Sequence, residues 1–151
     1  MKNKKKNKIE VSFVLGILNE ERVIEKCLKG ILMQNYPKDK YEIIIVDGGS
    51  TDQTLEIVKR LMNDFKNIRL LHNKKRLSEG RGMSKDIGIK EANGNIVILL
   101  DADNLILDKA WLNYLLYPFR NRKVMASQSL LTFKEEDNNL LKYVNAAGVE
   151  D

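Results

Sequence analysis

The sequence predicts an α/β fold, a mostly parallel sheet with helices on both faces and the strand order 3-2-1-4. The strand-like segments are unbroken apolar runs, which are typical of parallel strands covered on both faces. Segments with apolar residues at helical spacing separate them. Right-handed crossovers then favour a central first strand, with the second and third strands on one side and the fourth on the other.

Two strand and helix pairs are predicted in the first part of the chain. The run VSFVLGIL, residues 11–18, is apolar and rich in β-branched residues, and residues 19–36 carry apolar side chains at helical spacing. The run YEIIIVDGGS, residues 41–50, predicts a second strand and a glycine turn. Residues 51–65 predict a second helix with one apolar face.

The later segments continue the alternation. NIRLLHN, residues 67–73, predicts a short third strand, residues 78–94 a weaker helix that ends at Gly94, and NIVILL, residues 95–100, the fourth strand. The rest of the chain predicts a helix that ends near Pro118, a fifth strand and a final helix, at residues 109–119, 123–133 and 134–151.

Charge and composition exclude several classes of protein. Five lysines lie in the first eight residues and account for the net charge of +5, so the rest is charge-balanced and argues against a nucleic-acid partner. We expect residues 1–8 to be a disordered basic tail and residues 9–151 a single domain. No apolar run approaches the roughly 18 residues of a membrane span, and the single Cys27 suits a reducing compartment. We expect a cytoplasmic location. Because the tail is basic, attachment to the inner face of the membrane is an open alternative.

Acidic residues follow three of the predicted strands. Glu20 comes after the first strand, Asp47 ends the second, and Asp101 and Asp103 follow the fourth. Parallel strands bring these positions to one edge of the sheet, and ligands of open α/β sheets bind where the strand order reverses. That crevice lies between strands one and four, with Asn19 and Glu20 opposite the D-x-D pair.

Such a cluster of carboxylates predicts a cation, because like charges repel unless a counter-charge is present. His72 is the only histidine and Cys27 the only cysteine, so oxygen ligands are expected. Oxygen ligands favour Mg²⁺ or Mn²⁺, and Mg²⁺ commonly shares carboxylates with the phosphates of a substrate. The expected ligand is therefore phosphorylated.

Each motif also has an ordinary structural explanation. Acids are common at strand ends. In the DGGSTD turn, the two glycines permit a tight turn and residues 50–52 can supply an N-cap for the second helix. This explanation does not account for Asp47. The glycine-rich SEGRGMSKDIG, residues 78–88, could contact phosphate but matches no Walker loop. We expect His72 to be an ordinary edge residue, and Trp111 and Tyr114 to be core residues.

The segments LNEE, EIIIVDGGSTDQT and GIKEANGNIVILLDADN, in this order, resemble the nucleotide-sugar-binding part of family 2 glycosyltransferases, which have the Rossmann-like GT-A fold. The resemblance covers residues 11–107. It implies transfer of a hexose, by an inverting reaction, from a nucleoside-diphosphate sugar, with UDP favoured, to a saccharide or lipid-linked acceptor, as in polysaccharide biosynthesis. It also implies Mg²⁺ or Mn²⁺ as the cofactor.

The resemblance also implies roles for individual residues. Asp47 would contact the nucleobase and Asp101 the ribose or phosphate, while Asp103 would hold the metal, with Asp101 as a second candidate ligand. Glu20 and the backbone of residues 17–19, including Ile17 and Asn19, would line the nucleoside pocket, and Ala102 lies between the two acids. The chain has Gly16 and Leu18 where the family often has Pro and Tyr.

In the family, the acid that acts as catalytic base follows the D-x-D at a greater distance, in the acceptor-binding half. We therefore expect that the chain ends at Asp151 before the base, and that it binds the donor without completing transfer. The alternatives are a sugar nucleotidyltransferase and a non-catalytic nucleotide-sugar-binding module. A phosphatase of the haloacid dehalogenase type is disfavoured, because its D-x-D follows the first strand.

Overall fold

The structure, a computed structural model, describes residues 9–73 and 82–129 of the 151-residue chain. The chain divides into two compact units, residues 1–112 and 113–151. The first unit contains all the described strands. In the second unit, the described residues 113–129 include a 3₁₀ turn over Tyr117–Arg120. The predicted boundaries at residues 8 and 151 stay predictions.

Strands and helices alternate along the first unit as the sequence predicts. The strands are β1 (Val11–Ile17), β2 (Tyr41–Asp47), β3 (Ile68–His72) and β4 (Ile96–Leu100). The helices are α1 (Ile24–Leu32), α2 (Thr54–Asp64), α3 (Gly82–Lys90) and α4 (Trp111–Leu116), the last of which ends in the second unit. None of the described helices has the length and apolar character that a membrane span requires.

All four strands form one parallel sheet in the predicted order β3-β2-β1-β4. In register, Ile17 lies beside Asp47, and Asp47 lies beside His72. On the other side of β1, Leu15 lies beside Leu100, the last residue of β4. The carboxyl ends of β1, β2 and β4 therefore meet at one edge of the sheet.

Helices cover both faces of the sheet. On one face, the Tyr41 hydroxyl donates a hydrogen bond to the Ile31 carbonyl in α1, and the rings of Tyr41 and Phe13 pack edge to face with centroids 5.7 Å apart. On the other face, α3 crosses β1 at Gly88, where a Cβ would lie 2.4 Å from Val14 Cγ1. Glycine at this position allows α3 to pack directly against the strand.

β4 departs from the predicted burial. The sequence predicts strands covered on both faces, and β1 and β2 are almost entirely buried. In β4, however, Val97 and Leu99 are 36% and 49% exposed. Their partners in register are Ser12 and Val14, on the face where α3 packs mainly against β1 and β2.

Three predictions for the later part of the chain also change. Tyr114, expected to be a core residue, is 68% exposed. The predicted helix over residues 109–119 is shorter, because α4 gives way to the 3₁₀ turn at Tyr117, with Pro118 in its first positions. No strand is found over residues 123–129, so the fifth strand is wrong there. Its remainder and the final predicted helix lie outside the described residues.

Candidate functional site

The candidate site is a cleft of about 420 Å³ at the carboxyl edge of the sheet, between the ends of β1 and β4. Its volume lies in the range of small-molecule sites. Five of the predicted site residues line it, namely Ile17, Glu20, Asp101, Ala102 and Asp103. The other lining residues are Gly16, Leu18, Gly48, Ser84 and Lys85.

The D-x-D segment leaves β4 in a short closed turn. The Asp101 amide donates to Asn104 Oδ1 at 2.9 Å, and the Asn104 amide donates to the Asp101 carbonyl at 3.1 Å. Ala102, between the two acids, is 4% exposed, whereas both aspartates are exposed. The turn therefore anchors the middle residue and leaves both carboxylates accessible to a ligand.

The pKa of the Cys27 thiol is affected by the negative charges of the D-x-D turn. The thiol, buried in α1, lies 3.7 Å from the Asp101 carbonyl. Burial raises the pKa of Cys27 to about 12, and the charges of Asp103 and Asp101 add to this effect. Both carboxylates thus lie within electrostatic reach of one buried atom, and the cysteine stays a thiol at neutral pH.

Asp101 has a cationic partner that the sequence does not predict. The Lys85 ammonium in α3 lies 2.7 Å from Asp101 Oδ1, and the pair is partly exposed to solvent. The sequence predicts only that the glycine-rich segment at residues 78–88 could contact phosphate. Which residue of that segment reaches Asp101 depends on the packing of α3 against β1, which a local pattern does not encode.

Asp47 lies behind the cleft and does not line it. The side chain is 2% exposed and accepts hydrogen bonds from the amides of Gly49 and Ser50, at 2.9 and 3.0 Å. His72 Nδ1 lies 3.5 Å from Asp47 Oδ2. Burial raises the pKa of Asp47, but the bonds from Ser50, Gly49 and His72 outweigh it and hold that pKa below its usual 3.8.

Asn19 also has a structural role. It is the only described non-glycine residue with positive φ, at 53°, a conformation that asparagine tolerates better than most residues. Its amide donates to Ser50 Oγ, and its Oδ1 accepts from the Thr51 amide at 2.8 Å. The N-cap predicted at residues 50–52 is wrong, because Gln53 occupies the N-cap position of α2 and makes no side-chain cap hydrogen bond. Asp52, one residue earlier, still accepts a hydrogen bond from the Thr54 amide through its Oδ1.

Three further hydrogen bonds join the β1–α1 and β2–α2 loops. The Glu20 amide donates to Thr54 Oγ1, and the Glu21 amide donates to Asp52 Oδ2. In return, the Gln53 amide donates to Glu21 Oε2 at 2.9 Å. Together with the bonds of Asn19, they hold residues 19–21, of which Glu20 lines the cleft, against residues 50–54.

The donor set of the cleft fits a hard divalent cation completed by a ligand. Within residues 9–73 and 82–129, no three His, Cys, Asp or Glu side chains converge as a self-sufficient metal site. Asp101 and Asp103 offer exposed carboxylate oxygens. Mg²⁺ is typically held by one or two carboxylates, with phosphate and water filling the other positions. The predicted ligand residues therefore suit the predicted cations, and their metal role stays a prediction.

A larger cleft of about 560 Å³ lies at the opposite, amino edge of the sheet. Its basic side chains are occupied by the protein. Lys38 donates to the Gln34 carbonyl and the Tyr41 hydroxyl, and Lys66 donates to the Asn63 carbonyl. Arg69 is bound to Glu42 and Glu91. Size alone therefore does not make this cleft the better candidate.

Relatives in sequence are glycosyltransferases. A protein of Methanococcus voltae is 42% identical over 94 residues, which make up 61% of this chain and 28% of the relative. It is named dolichyl N-acetyl-alpha-D-glucosaminyl phosphate 3-beta-D-2,3-diacetamido-2,3-dideoxy-beta-D-glucuronosyltransferase. This chain thus spans less than a third of that relative's length.

Solved structures with the same fold contain donor ligands. The mannosyltransferase PcManGT of Pyrobaculum calidifontis, in complex with GDP-Man and Mn²⁺, has a TM-score of 0.66 at 30% identity, over 71% of this chain and 31% of that one. S. aureus TarS 1–349, in complex with UDP-GlcNAc, has a TM-score of 0.66 at 25% identity, over 83% and 39%. The sheet described above is therefore that of the GT-A glycosyltransferases.

The family comparison extends over most of the chain. The family described as Glycosyl transferase family 2 matches residues 12–145, a span that includes the D-x-D turn and all of the sheet except Val11. With the fold and the cleft, this match confirms the resemblance in the sequence: the chain belongs to glycosyl transferase family 2.

Proposed function

We propose that the cleft between β1 and β4 binds a nucleoside-diphosphate sugar through a divalent cation, for transfer of the sugar to a saccharide or lipid-linked acceptor. The observation that carries the proposal is the D-x-D turn, which leaves Asp101 and Asp103 exposed in a cleft large enough for a nucleotide. Family membership supports sugar transfer over nucleotidyl transfer.

In this proposal, the residues of the cleft have separate tasks. Asp103 would hold Mg²⁺ or Mn²⁺, with Asp101 as a second ligand. The bound cation would act as a Lewis acid that stabilises the charge of the departing diphosphate. The complexes of related structures with GDP-Man and Mn²⁺ and with UDP-GlcNAc support a donor of this class.

The nucleoside would lie against the carboxyl end of β1 and the residues that follow it. Ile17 and Glu20 line the cleft there, and Gly48, whose amide donates to the Ile17 carbonyl, lines it beside them. Asp47 would act on the nucleobase from a nearly buried position. Its oxygens already accept the amides of Gly49 and Ser50, and His72 lies 3.5 Å away, so a nucleobase N–H would have to share or replace one of these partners.

Isothermal titration calorimetry tests the proposal directly. The chain is titrated with UDP, GDP and ADP, in Mn²⁺ and then in EDTA. We expect binding in Mn²⁺, tightest for UDP, and loss of most of the affinity in EDTA. Asp103→Asn should bind UDP equally weakly in Mn²⁺ and EDTA, because the cation would lose its principal ligand.

Asp64→Asn is the matched control, since it removes an exposed carboxylate that lines the amino-edge cleft instead. It should keep the binding and the metal dependence of the wild-type chain. Equal UDP affinity of the wild-type chain in Mn²⁺ and EDTA would contradict the metal-dependent site. Absence of binding to all three nucleotides would contradict the proposed function.

A further inference from the structure

We propose that Lys85 is an exchangeable counter-charge of the cleft. Without a ligand it neutralises Asp101, and when a divalent cation occupies the aspartates its ammonium binds the phosphate of the donor. This inference rests on the proposed function and assigns the phosphate contact to a residue outside the D-x-D turn. The observation behind it is the 2.7 Å contact between Lys85 Nζ and Asp101 Oδ1, inside the cleft.

The charge balance of the cleft gives the first reason. Among the described residues that line it, Glu20, Asp101 and Asp103 are acidic, and Lys85 is the one basic side chain. A nucleoside diphosphate brings further negative charge into this environment. A divalent cation neutralises part of that charge, and a nearby ammonium would stabilise the remainder through charge-assisted hydrogen bonds.

The position of the Lys85 backbone gives the second reason. At Gly16, a Cβ would lie 3.0 Å from Ser84 Cβ and 3.7 Å from Lys85 Cγ. Glycine in β1 thus lets the start of α3 approach the carboxyl end of the strand. Because Gly88 packs on Val14 one turn later, the helix is held at two points and only the lysine side chain has to move.

The weakness of the ion pair gives the third reason. The side chains of Lys85 and Asp101 are 32% and 64% exposed, and exposed pairs are strongly screened by water and salt. Within the part of the chain that the structure describes, Asp101 is the only partner found for the Lys85 ammonium. A doubly charged cation can therefore compete with the lysine for Asp101.

A lysine that only stabilises the fold would behave differently. Its removal would weaken folding and leave both binding equilibria unchanged or impair both. An exchangeable counter-charge affects the two affinities in opposite directions. It weakens metal binding because it competes for Asp101, and it strengthens nucleotide binding because it contacts the phosphate. The affinities for Mn²⁺ alone and for UDP with Mn²⁺ therefore separate the two roles.

The experiment measures both affinities in the full chain. Mn²⁺ alone is titrated and followed by paramagnetic broadening of the amide signals of residues 101–103, and UDP binding is measured by calorimetry at saturating Mn²⁺. In Lys85→Met we expect several-fold tighter Mn²⁺ binding and about tenfold weaker UDP binding, the scale of one lost charge-assisted hydrogen bond. Lys85→Gln should show both changes with the same signs.

Two controls accompany these variants. Lys85→Arg keeps the positive charge and should stay within about threefold of wild type in both measurements. Lys90→Met removes an exposed lysine at the end of the same helix, outside the cleft, and should change neither.

The outcomes distinguish this inference from the proposed function. If the wild-type chain binds UDP with Mn²⁺ while Lys85→Met and Lys85→Gln alter neither affinity, or move both in the same direction, the role of Lys85 is refuted and the proposed function stands. If the wild-type chain binds no nucleotide, both are refuted. Opposite changes in the two affinities support both.

Discussion

The two edges of the sheet use carboxylates in different ways. At the amino edge, Glu42 is 4% exposed and bound by Ser12 Oγ, by the Asn93 amide and side chain, and by Arg69. At the carboxyl edge, Asp101 and Asp103 are exposed, and Asp101 has one weak cationic partner. A carboxylate whose oxygens are already bound by the protein stabilises the fold, whereas an exposed one with few partners remains available to a ligand.

The largest expected effect is the loss of the Glu42 carboxylate. Glu42→Ala should lower the free energy of unfolding by about 3 kcal/mol, because it leaves Ser12, Asn93 and Arg69 without their buried acceptor. Urea unfolding followed by circular dichroism measures this change. Glu91→Ala removes the other, exposed carboxylate on Arg69 and should cost less than about 1 kcal/mol. Equal losses in the two variants would contradict the distinction between buried and exposed acids.

Substitution of Asp47 should cost an amount of unfolding free energy between those of the buried and the exposed acids. Asp47 lies at the carboxyl edge, yet it is buried and accepts two amide hydrogen bonds from the following turn. Asp47→Asn replaces one acceptor with an amide donor, so we expect a loss of about 1–2 kcal/mol of unfolding free energy. The same urea titration measures it. A loss below about 0.5 kcal/mol would show that Asp47 resembles the exposed acids.

Acid stability offers a subtler comparison. Burial raises the pKa of Glu42, but the bonds from Asn93, Ser12 and Arg69 outweigh it and hold this pKa below its usual 4.5. The stability linked to a lowered pKa is present above the unfolded value and lost as pH falls through the folded value. The wild-type chain should therefore lose stability as the pH falls below about 4.5.

The slope of this pH dependence identifies its source. Glu42→Gln has no carboxyl group at this position, so its free energy of unfolding should fall less steeply over the same pH range. Thermal unfolding between pH 6 and pH 3 compares the two proteins. Parallel curves for the wild-type chain and Glu42→Gln would mean that the stability comes from other acids.

The smallest expected effect is on the stability of the site itself. Asp103→Asn should change the free energy of unfolding by less than about 0.5 kcal/mol, because its exposed carboxylate stabilises no described element. Urea unfolding in EDTA measures the fold without a bound cation. A loss as large as that of Asp47→Asn would place Asp103 among the structural acids.

The sequence predicts much of the sheet, because its strands are local apolar runs. The strands, their order and the position of the D-x-D after β4 follow from this pattern and the rules of parallel connections. The exposure of Val97 and Leu99 does not, since it depends on how far α3 extends across the sheet. The missing strand over residues 123–129 shows that an apolar run alone does not determine pairing.

Within the site, spacing predicts which residues share an edge but not what each side chain contacts. Glu20 and the D-x-D residues line the cleft together, as their positions after strands indicate. The turn that encloses Asp47 and the approach of Lys85 to Asp101 are tertiary features. They depend on the backbone direction after β2 and on the position of α3 against the sheet, and residue spacing predicts neither.

The hydrogen bonds between the β1–α1 and β2–α2 loops bear on how this protein can be recombined with its relatives. The amide of Asn19 needs the hydroxyl of Ser50, and the amide of Gln53 needs the carboxylate of Glu21, so each loop supplies what the other lacks. A chimera that exchanges one loop alone would inherit mismatched partners. Residues 19–21 and 50–54 should therefore be transplanted as a single module when nucleotide preference is engineered.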